Sequence, residues 1–511
     1  MDYFPVDDPM VPAQPKHEMR GAWVATVYGI DWPSRAAAGG AAREEQQQEL
    51  RHILDVLKEG GFNAVFFQVR SMSDAMYASS YEPWSAYLTG TRGADPGWDP
   101  LAFAVSEAHA RGMELHAWVN PFRLANGPVP EAAKAARGSR VFDPAGKGWA
   151  ITYRQGAAPA RTTKGKNGKR RRTKASPGKA VSVLDPGNPQ AREHIVDVCR
   201  EIVRNYDIDG LVFDDYFYPD RLPLGAGYDF AEWKKDTGGG ADAMDQADWR
   251  RANVARTVSG VHDMIAAEKP WVRFGISPAG VAGGNGKATE KYGLPLPGAG
   301  KDWMYDRIFC DPLDWLAAGT VDYVSPQIYW ASTHETNPYE PIARWWGKVA
   351  LTFGRHCFPS QKVLALPASP EAWKEQELQV VVNRASSLPA DAGSVFYSTA
   401  HISGKKASGL ASYLHAGVYA APALLPSMDW KPAQNPGAVS GLRRRGSILE
   451  WNEIPNMRYV VYAVPETETP LDVISDTGSN FASRYIIDVT YGHSVTIDPG
   501  KLKGYWFAVA P

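Results

Sequence analysis

From Arg20 onward the chain alternates short β-rich runs with amphipathic helical segments, and the alternation repeats eight times. The β-rich runs are GAWVATV ending near Val27, Asn63 to Val69, Met113 to Val119, DGLVFD ending at Asp214, Val272 to Ser277, Val321 to Tyr329, Lys362 to Pro367 and Ser394 to Ser398. The helical segment predicted from about Glu44 to Glu59 carries Leu50, Ile53, Leu54 and Leu57 on one face. Gly60-Gly61 ends it, since glycine accepts the left-handed conformation past a helix end. Asp99-Pro100 and Asn188-Pro189 pair a capping side chain with a first-turn proline and so open the next two helices. Further helices are predicted from about Gln246 to Ala267, Pro312 to Ala318, Tyr339 to Ala350, Glu371 to Ser386 and Ser408 to Ala416.

Eight β/α units over about 400 residues predict an α/β chain folded as a (β/α)8 TIM barrel with insertions. A doubly wound open sheet also alternates. The count of eight, and the lack of a Gly-rich phosphate loop after the first run, favour the barrel. Loop lengths agree: helix-to-strand links are short, as at Gly60–Phe62, Gly112 and Asp207–Ile208, whereas strand-to-helix links are long, as at Asn120 to Gly187. The additional residues therefore gather on the C-terminal face of the strands, where barrel enzymes keep their chemistry.

Outside the barrel, residues 1–16 are proline-rich, with acidic residues and no periodicity, and read as a flexible leader. The barrel is assigned to 17–420 and a proline-dense linker to 421–436. Residues 437–511 hold short alternating runs around Trp451 and Tyr459–Tyr462 and read as a small all-β sandwich. That sandwich resembles a fibronectin type III module, whose role is a spacer, a lid on the barrel or a carbohydrate-binding unit. Residues 161–179 are a local anomaly, with nine Lys or Arg among 19 residues. Such blocks are usually solvated; a functional version grips an anionic polymer.

Composition removes several classes of function. Lys plus Arg is 55 and Asp plus Glu is 56, a net charge of −1, which argues against an obligate nucleic-acid binder. Three cysteines in 511 residues form no disulfide scaffold, and no apolar run is long enough to span a membrane. No signal peptide is visible at the start of the sequence. There is no H-E-x-x-H, C-x-x-C or complete P-loop, so neither a metal nor another cofactor is expected. Gly275 to Gly280 misses the nucleophile-elbow pattern at Ala279. The 18 Trp and 23 Tyr, by contrast, suit flat sugar rings.

The sharpest constellation is Phe213-Asp214-Asp215-Tyr216-Phe217-Tyr218. Strand alternation points Val212 and Asp214 at the barrel axis, and Asp215 opens the following loop. Two adjacent carboxylates cannot both ionise easily, so one is expected to hold a proton near neutral pH, as a general acid must. Other run ends deliver Gln68, Arg70, Asp74, Glu82 and Trp84, then His116, Trp118, Asn120 and Arg123, then Gln327, Tyr329 and Trp330, and finally Tyr397. The expected site is therefore Asp214 and Asp215 as catalytic pair, with those residues (Gln68 apart), Tyr216 and Tyr218 binding substrate.

The runs Met19–Ala25, Asp74–Tyr77 through Glu82–Trp84, Ala117–Pro121, Phe213–Tyr216 and Ser325–Trp330 resemble the glycosyl hydrolase-like 10 family, in order and across about Arg20 to Ala416. The resemblance implies a secreted or lipid-anchored bacterial protein, periplasmic or at the cell surface. It also implies that relatives act on peptidoglycan glycan strands lacking stem peptides. Adjacent carboxylates after the fourth strand look like those of enzymes that cleave N-acetylhexosaminides by substrate assistance, with Asp214 orienting the acetamido group and Asp215 acting as acid/base. Ordinary hydrolysis would instead pair either Asp with Glu82, Asp74 or Asp311. A catalytically silent glycan-binding protein would use the same cleft, and a deacetylase would need a metal site that the histidines do not supply.

Overall fold

The computed structural model describes residues 13–157, 162–164, 170–172, 175–283, 286–297, 300, 304–363, 370–388, 390–404, 409–432, 437–455, 457–468, 483–501 and 503–511. Its centre is a parallel sheet of β1 (Glu18–Val24), β2 (Ala64–Arg70), β3 (Glu114–Val119), β4 (Gly210–Phe213), β5 (Arg273–Ile276), β6, β7 and β8 (Ala392–Tyr397). Strand β6 comes in two segments, Tyr323–Val324 and Gln327–Ile328, interrupted at Pro326; β7 likewise comprises His356–Cys357 and Ser360–Lys362 around Pro359. Proline has no N–H to give a ladder, which accounts for both breaks. Each strand pairs with the next, both segments of β6 pair with those of β7, and β8 pairs with β1, so the ladder returns to its start. This is a TIM-like fold.

Alternate residues face the axis. Trp23, Phe66, Trp118, Val212, Tyr323, Phe358 and Val395 pack against one another inside, while Val24, Phe67, Ala117, Phe213 and Phe396 face the helices. The rings fit because glycines lie beside them. A Cβ on Gly275 would sit 2.0 Å from the Tyr323 ring, and one on Gly21 2.5 Å from Phe66. Around the sheet, Asp99 and Asn188 cap Pro100–His109 and Pro189–Asn205 as expected, each side chain accepting from a first-turn N–H.

The seventh strand is a correction. It lies at His356–Lys362, about five residues before the predicted run, of which residues 364–367 fall outside the described residues. The segment His-Cys-Phe-Pro-Ser-Gln-Lys has no apolar alternation because its polar side chains find partners on both faces, Ser360 inside the barrel and Gln361 in the helical layer outside it. Ser360 accepts from the Trp23 indole at 2.9 Å, and Gln361 donates to Gln376. The first strand also ends at Val24, and Val27–Gly29 form a helical turn instead of continuing it.

The long excursion after β3 builds a three-stranded antiparallel sheet from Arg123–Ala125, Lys179–Leu184 and Ala150–Gln155. Within the basic run, Thr162–Lys164 pairs antiparallel with Arg170–Arg172, and residues 161, 165–169, 173 and 174 lie outside the described residues. At the C-terminus, Arg443–Arg445, Ile448–Glu450 and Ser494–Thr496 form one small antiparallel sheet. Ile486–Thr490, Tyr459–Pro465 and Tyr505–Ala510 form another.

These sheets meet the barrel at the N-terminal ends of its strands. Arg458 bonds Glu114 at 3.1 Å, and Tyr491 stacks on His109 at 3.8 Å while donating to Asp209. The stretch read as a linker is held there too: Arg273 donates to the Pro426 carbonyl and Trp430 to Asp322. Of the leader, residues 1–12 lie outside the described residues, while Gln14 bonds Gly417 and Arg384 donates to the Ala13 carbonyl. The C-terminal sheets therefore sit opposite the mouth, which excludes the lid role considered from the sequence.

Candidate active site

Asp214 follows the last residue of β4 and is 3% exposed; Asp215, the next residue, is 8% exposed. One oxygen of Asp214 accepts from the Asn120 amide and, at 3.2 Å, from the Trp118 indole; the other accepts from the Tyr216 backbone N–H. Asn120 is itself oriented by Gln68, whose amide donates to it at 2.8 Å. Asp215 accepts from Gln327 at 3.2 Å, and the same amide group also donates to the Ser277 carbonyl. Both carboxyls are pushed up, Asp214 to about 8 by burial and by the charge of Asp215, and Asp215 to about 6 by burial. The donors around each act the other way and do not cancel the cost of desolvating two neighbouring anions.

The two carboxyls line different cavities. Asp214 lines one of about 400 Å³ at the mouth of the barrel, walled by Trp23, Tyr28, Gln68, Trp118, Ser277, Gln327, Tyr329 and Tyr397. Tyr329 and Tyr397 stack there with ring centres 5.3 Å apart. Asp215 lines the other, about 440 Å³, together with Asn126, Gln155, Val181, Val183, Tyr218 and Asp220. Arg123 and Tyr216 line both, with the guanidinium 4.6 Å from the centre of the Tyr216 ring. The excursion after β3 thus supplies a wall of the second cavity. Each volume accommodates sugar-sized groups.

Of the residues expected to bind substrate, Trp118, Arg123, Tyr216, Tyr218, Gln327, Tyr329 and Tyr397 line one or both cavities, and Asn120 supports Asp214 from behind. The remainder do not line either. Arg70 and Glu82 are fully buried and paired at 2.6 Å, with His194 on the same carboxylate. Asp74 accepts from the Ser71 and Met72 backbone, and Trp84 packs in the core. His116 lies deeper in the barrel between Tyr323 and Glu114. Trp330 packs partly buried against the core. Asp311 caps the helix Pro312–Ala317. Among the lining residues that sequence reasoning left unassigned are Trp23, inward by the same alternation that selected Asp214, and Tyr28, Asn126 and Gln155, which carry no local signal.

A family model described as glycosyl hydrolase-like 10 matches residues 18–371, from β1 into the helix after β7. The chain belongs to the glycosyl hydrolase-like 10 family. It is 34% identical over 436 residues to glycosyl hydrolase YngK of Bacillus subtilis, covering 82% of this chain and 76% of that one. It is 36% identical over 345 residues to glycosyl hydrolase DigH of Escherichia coli, covering 67% of this chain and 72% of the relative. Among solved structures, the PgaB (BpsB) glycoside hydrolase domain from Bordetella bronchiseptica aligns at 12% identity with a TM-score of 0.44, over 78% of this chain and 99% of that one. Family membership makes this a hydrolase-like protein with a carbohydrate-active fold. Among the described residues, no helix is long and apolar enough to cross a membrane.

Proposed function

We propose that the protein is a glycoside hydrolase of N-acetylhexosamine-containing polysaccharide, with bacterial peptidoglycan glycan strands as substrate and Asp214 and Asp215 as the catalytic pair. The observation that carries this reading is the buried, adjacent carboxyl pair at the mouth, with aromatic walls beside Asp214 and a second cavity beside Asp215. The other carboxylates considered as partners, Glu82, Asp74 and Asp311, are engaged by an arginine, by backbone N–H groups and by a helix terminus. That favours the adjacent pair over two separated carboxylates.

In this mechanism the sugar to be cleaved occupies the aromatic cavity. Asp214, fixed by Asn120 and Trp118, accepts the acetamido N–H and turns the acetamido oxygen towards the anomeric carbon. That oxygen attacks, the glycosidic C–O bond breaks, and the leaving oxygen takes the proton of Asp215. Water, deprotonated by Asp215, then attacks the anomeric carbon and opens the oxazolinium ring, whose N–H stays on nitrogen and hydrogen-bonded to Asp214, which restores the acetamide with net retention. We read the C-terminal sheets as a fibronectin type III-like module that braces the base of the barrel, and the place of action as the cell envelope.

The test is mass spectrometry of peptide-free peptidoglycan strands after incubation with wild type and with Asp214→Asn. Release by the wild type and not by the variant supports the reading. Binding without release by either protein would leave a glycan-binding protein in its place. Equal rates on N-acetyl and N-trifluoroacetyl substrates would remove the assisted step.

A further inference from the structure

Between the two cavities stands a cation with no counter-ion in contact among the described residues. Arg123 begins the excursion after β3, and its guanidinium lies over the Tyr216 ring while lining both cavities. Among the described residues that guanidinium makes no hydrogen bond and no ion pair, whereas other arginines near the mouth do. Arg307 is bound to Asp220 through two contacts of 2.6 Å, and Arg250 to Asp229. Asp214 and Asp215 take their hydrogen bonds from Asn120, Trp118, Tyr216 and Gln327, so Arg123 acts on them only through space. A guanidinium that rests over an aromatic ring without spending its N–H groups there can still offer them as a planar fork that matches a carboxylate.

We propose that Arg123 reads a carboxylate carried by the glycan at the junction of the two cavities, so that the site selects a polyanionic N-acetylhexosamine strand over a neutral one. This rests on the hydrolase reading of the same cleft and adds the charge of its substrate. Two sources supply such a group: the lactyl ether of a muramic-type sugar whose stem peptide is gone, or a uronic acid alternating with N-acetylhexosamine. Without a cation at this point, the acidic pair would repel any anionic sugar.

The experiment measures affinity, which keeps it independent of turnover. In the Asp215→Asn background, calorimetry compares oligosaccharides with free lactyl carboxylates, the same oligosaccharides methyl-esterified, alternating uronate–N-acetylhexosamine oligomers, and neutral N-acetylglucosamine oligomers. A charge-assisted pair predicts about tenfold or greater preference for the free lactyl acid over its ester. The preference should shrink towards one in Arg123→Met, which keeps the apolar stem on Tyr216, and be intermediate in Arg123→Lys, which keeps the charge but loses the fork. A uronate preference that depends on Arg123, with none for the lactyl acid, would assign the carboxylate to the uronate source. Equal affinities for acid, ester, uronate and neutral forms, or a preference that survives both substitutions, would overturn the proposal. Absence of hydrolysis by the wild type together with an Arg123-dependent acid preference would overturn the hydrolase reading and leave this one standing.

Discussion

If Asp214 and Asp215 divide orientation and proton donation between them, the pair works only while it holds one proton. Burial and mutual repulsion push Asp214 up to about 8, and burial pushes Asp215 up to about 6. The pair therefore gains one proton as pH falls through about 8 and a second as it falls through about 6. Below the lower value both carboxyls are protonated and neither is the anion that orients the acetamido group; above the upper value neither holds a proton to give. Between them the single proton rests mainly on Asp214, the group pushed up furthest, and must pass to Asp215 as the acetamido N–H takes the Asp214 oxygen. The profile of kcat/KM is expected to be a bell centred near neutrality, falling about tenfold for each pH unit beyond either limb. Asp214→Asn removes one ionisation and the neighbouring charge. The acid limb should vanish, leaving a single fall as pH rises, with the maximal rate on natural strands lowered by about 10² to 10⁴. Asp215→Asn should lose the alkaline limb and lose much less on a nitrophenyl glycoside, whose leaving group needs little protonation. The assay is reducing-end release from defined N-acetylhexosamine oligosaccharides across pH 4 to 10. A flat wild-type profile, or a bell with both limbs intact in Asp214→Asn, would refute the assignment.

The same pair has a cost in stability. Because the folded Asp214 binds its proton more tightly than an unfolded aspartate, its own contribution to stability is full below about pH 4 and is lost as pH rises to about 8. Asp214→Asn should therefore melt a few degrees above wild type at pH 9 and show no advantage at pH 4 in calorimetric scans. Arg70→Met leaves Glu82 buried with its main counter-charge gone, and about 3–5 kcal/mol of stability should be lost in urea titrations. Burial raises the Glu82 carboxyl and Arg70 brings it down to about 2 in the wild type; without Arg70 burial prevails, so the loss should be smaller at pH 5, where Glu82 can take a proton, and grow as pH rises towards 9. Gly275→Ala puts a methyl group 2.0 Å from the Tyr323 ring inside the barrel, and low soluble yield or a melting point lowered by several degrees is expected.

Arg70 and Asp214 follow the same rule in the sequence, a polar side chain at or just past the end of a β-rich run. They diverge because Arg70 and Glu82 lie close enough to neutralise each other in the core, while Asp214 meets only neutral donors and another acid. His116 also has the inward register, yet it sits a layer below the cleft, tied to Glu114 and Tyr323. Distance along the axis, which alternation does not encode, separates a core residue from a cleft residue. Trp23 had a legible inward register but lay in a run that reads as plain core. Tyr28 and Gln155 reach the cleft from a helical turn and from the excursion sheet, where no periodicity marks them.

The sequence by itself determined the eight β/α units, the helix caps at Asp99 and Asn188, the crowding of long loops on one face, and the inward direction of Asp214. All of these follow from local rules: strand alternation, helical periodicity and capping act over a few residues. Tertiary structure alone decided that β7 is built from a polar segment, that the excursion after β3 walls a second cavity, that the C-terminal sheets dock on the base, and that the Arg123 guanidinium has no hydrogen-bond or ion-pair partner among the described residues. Those outcomes depend on which buried charges and donors meet across hundreds of residues, a competition settled only when the barrel brings them together.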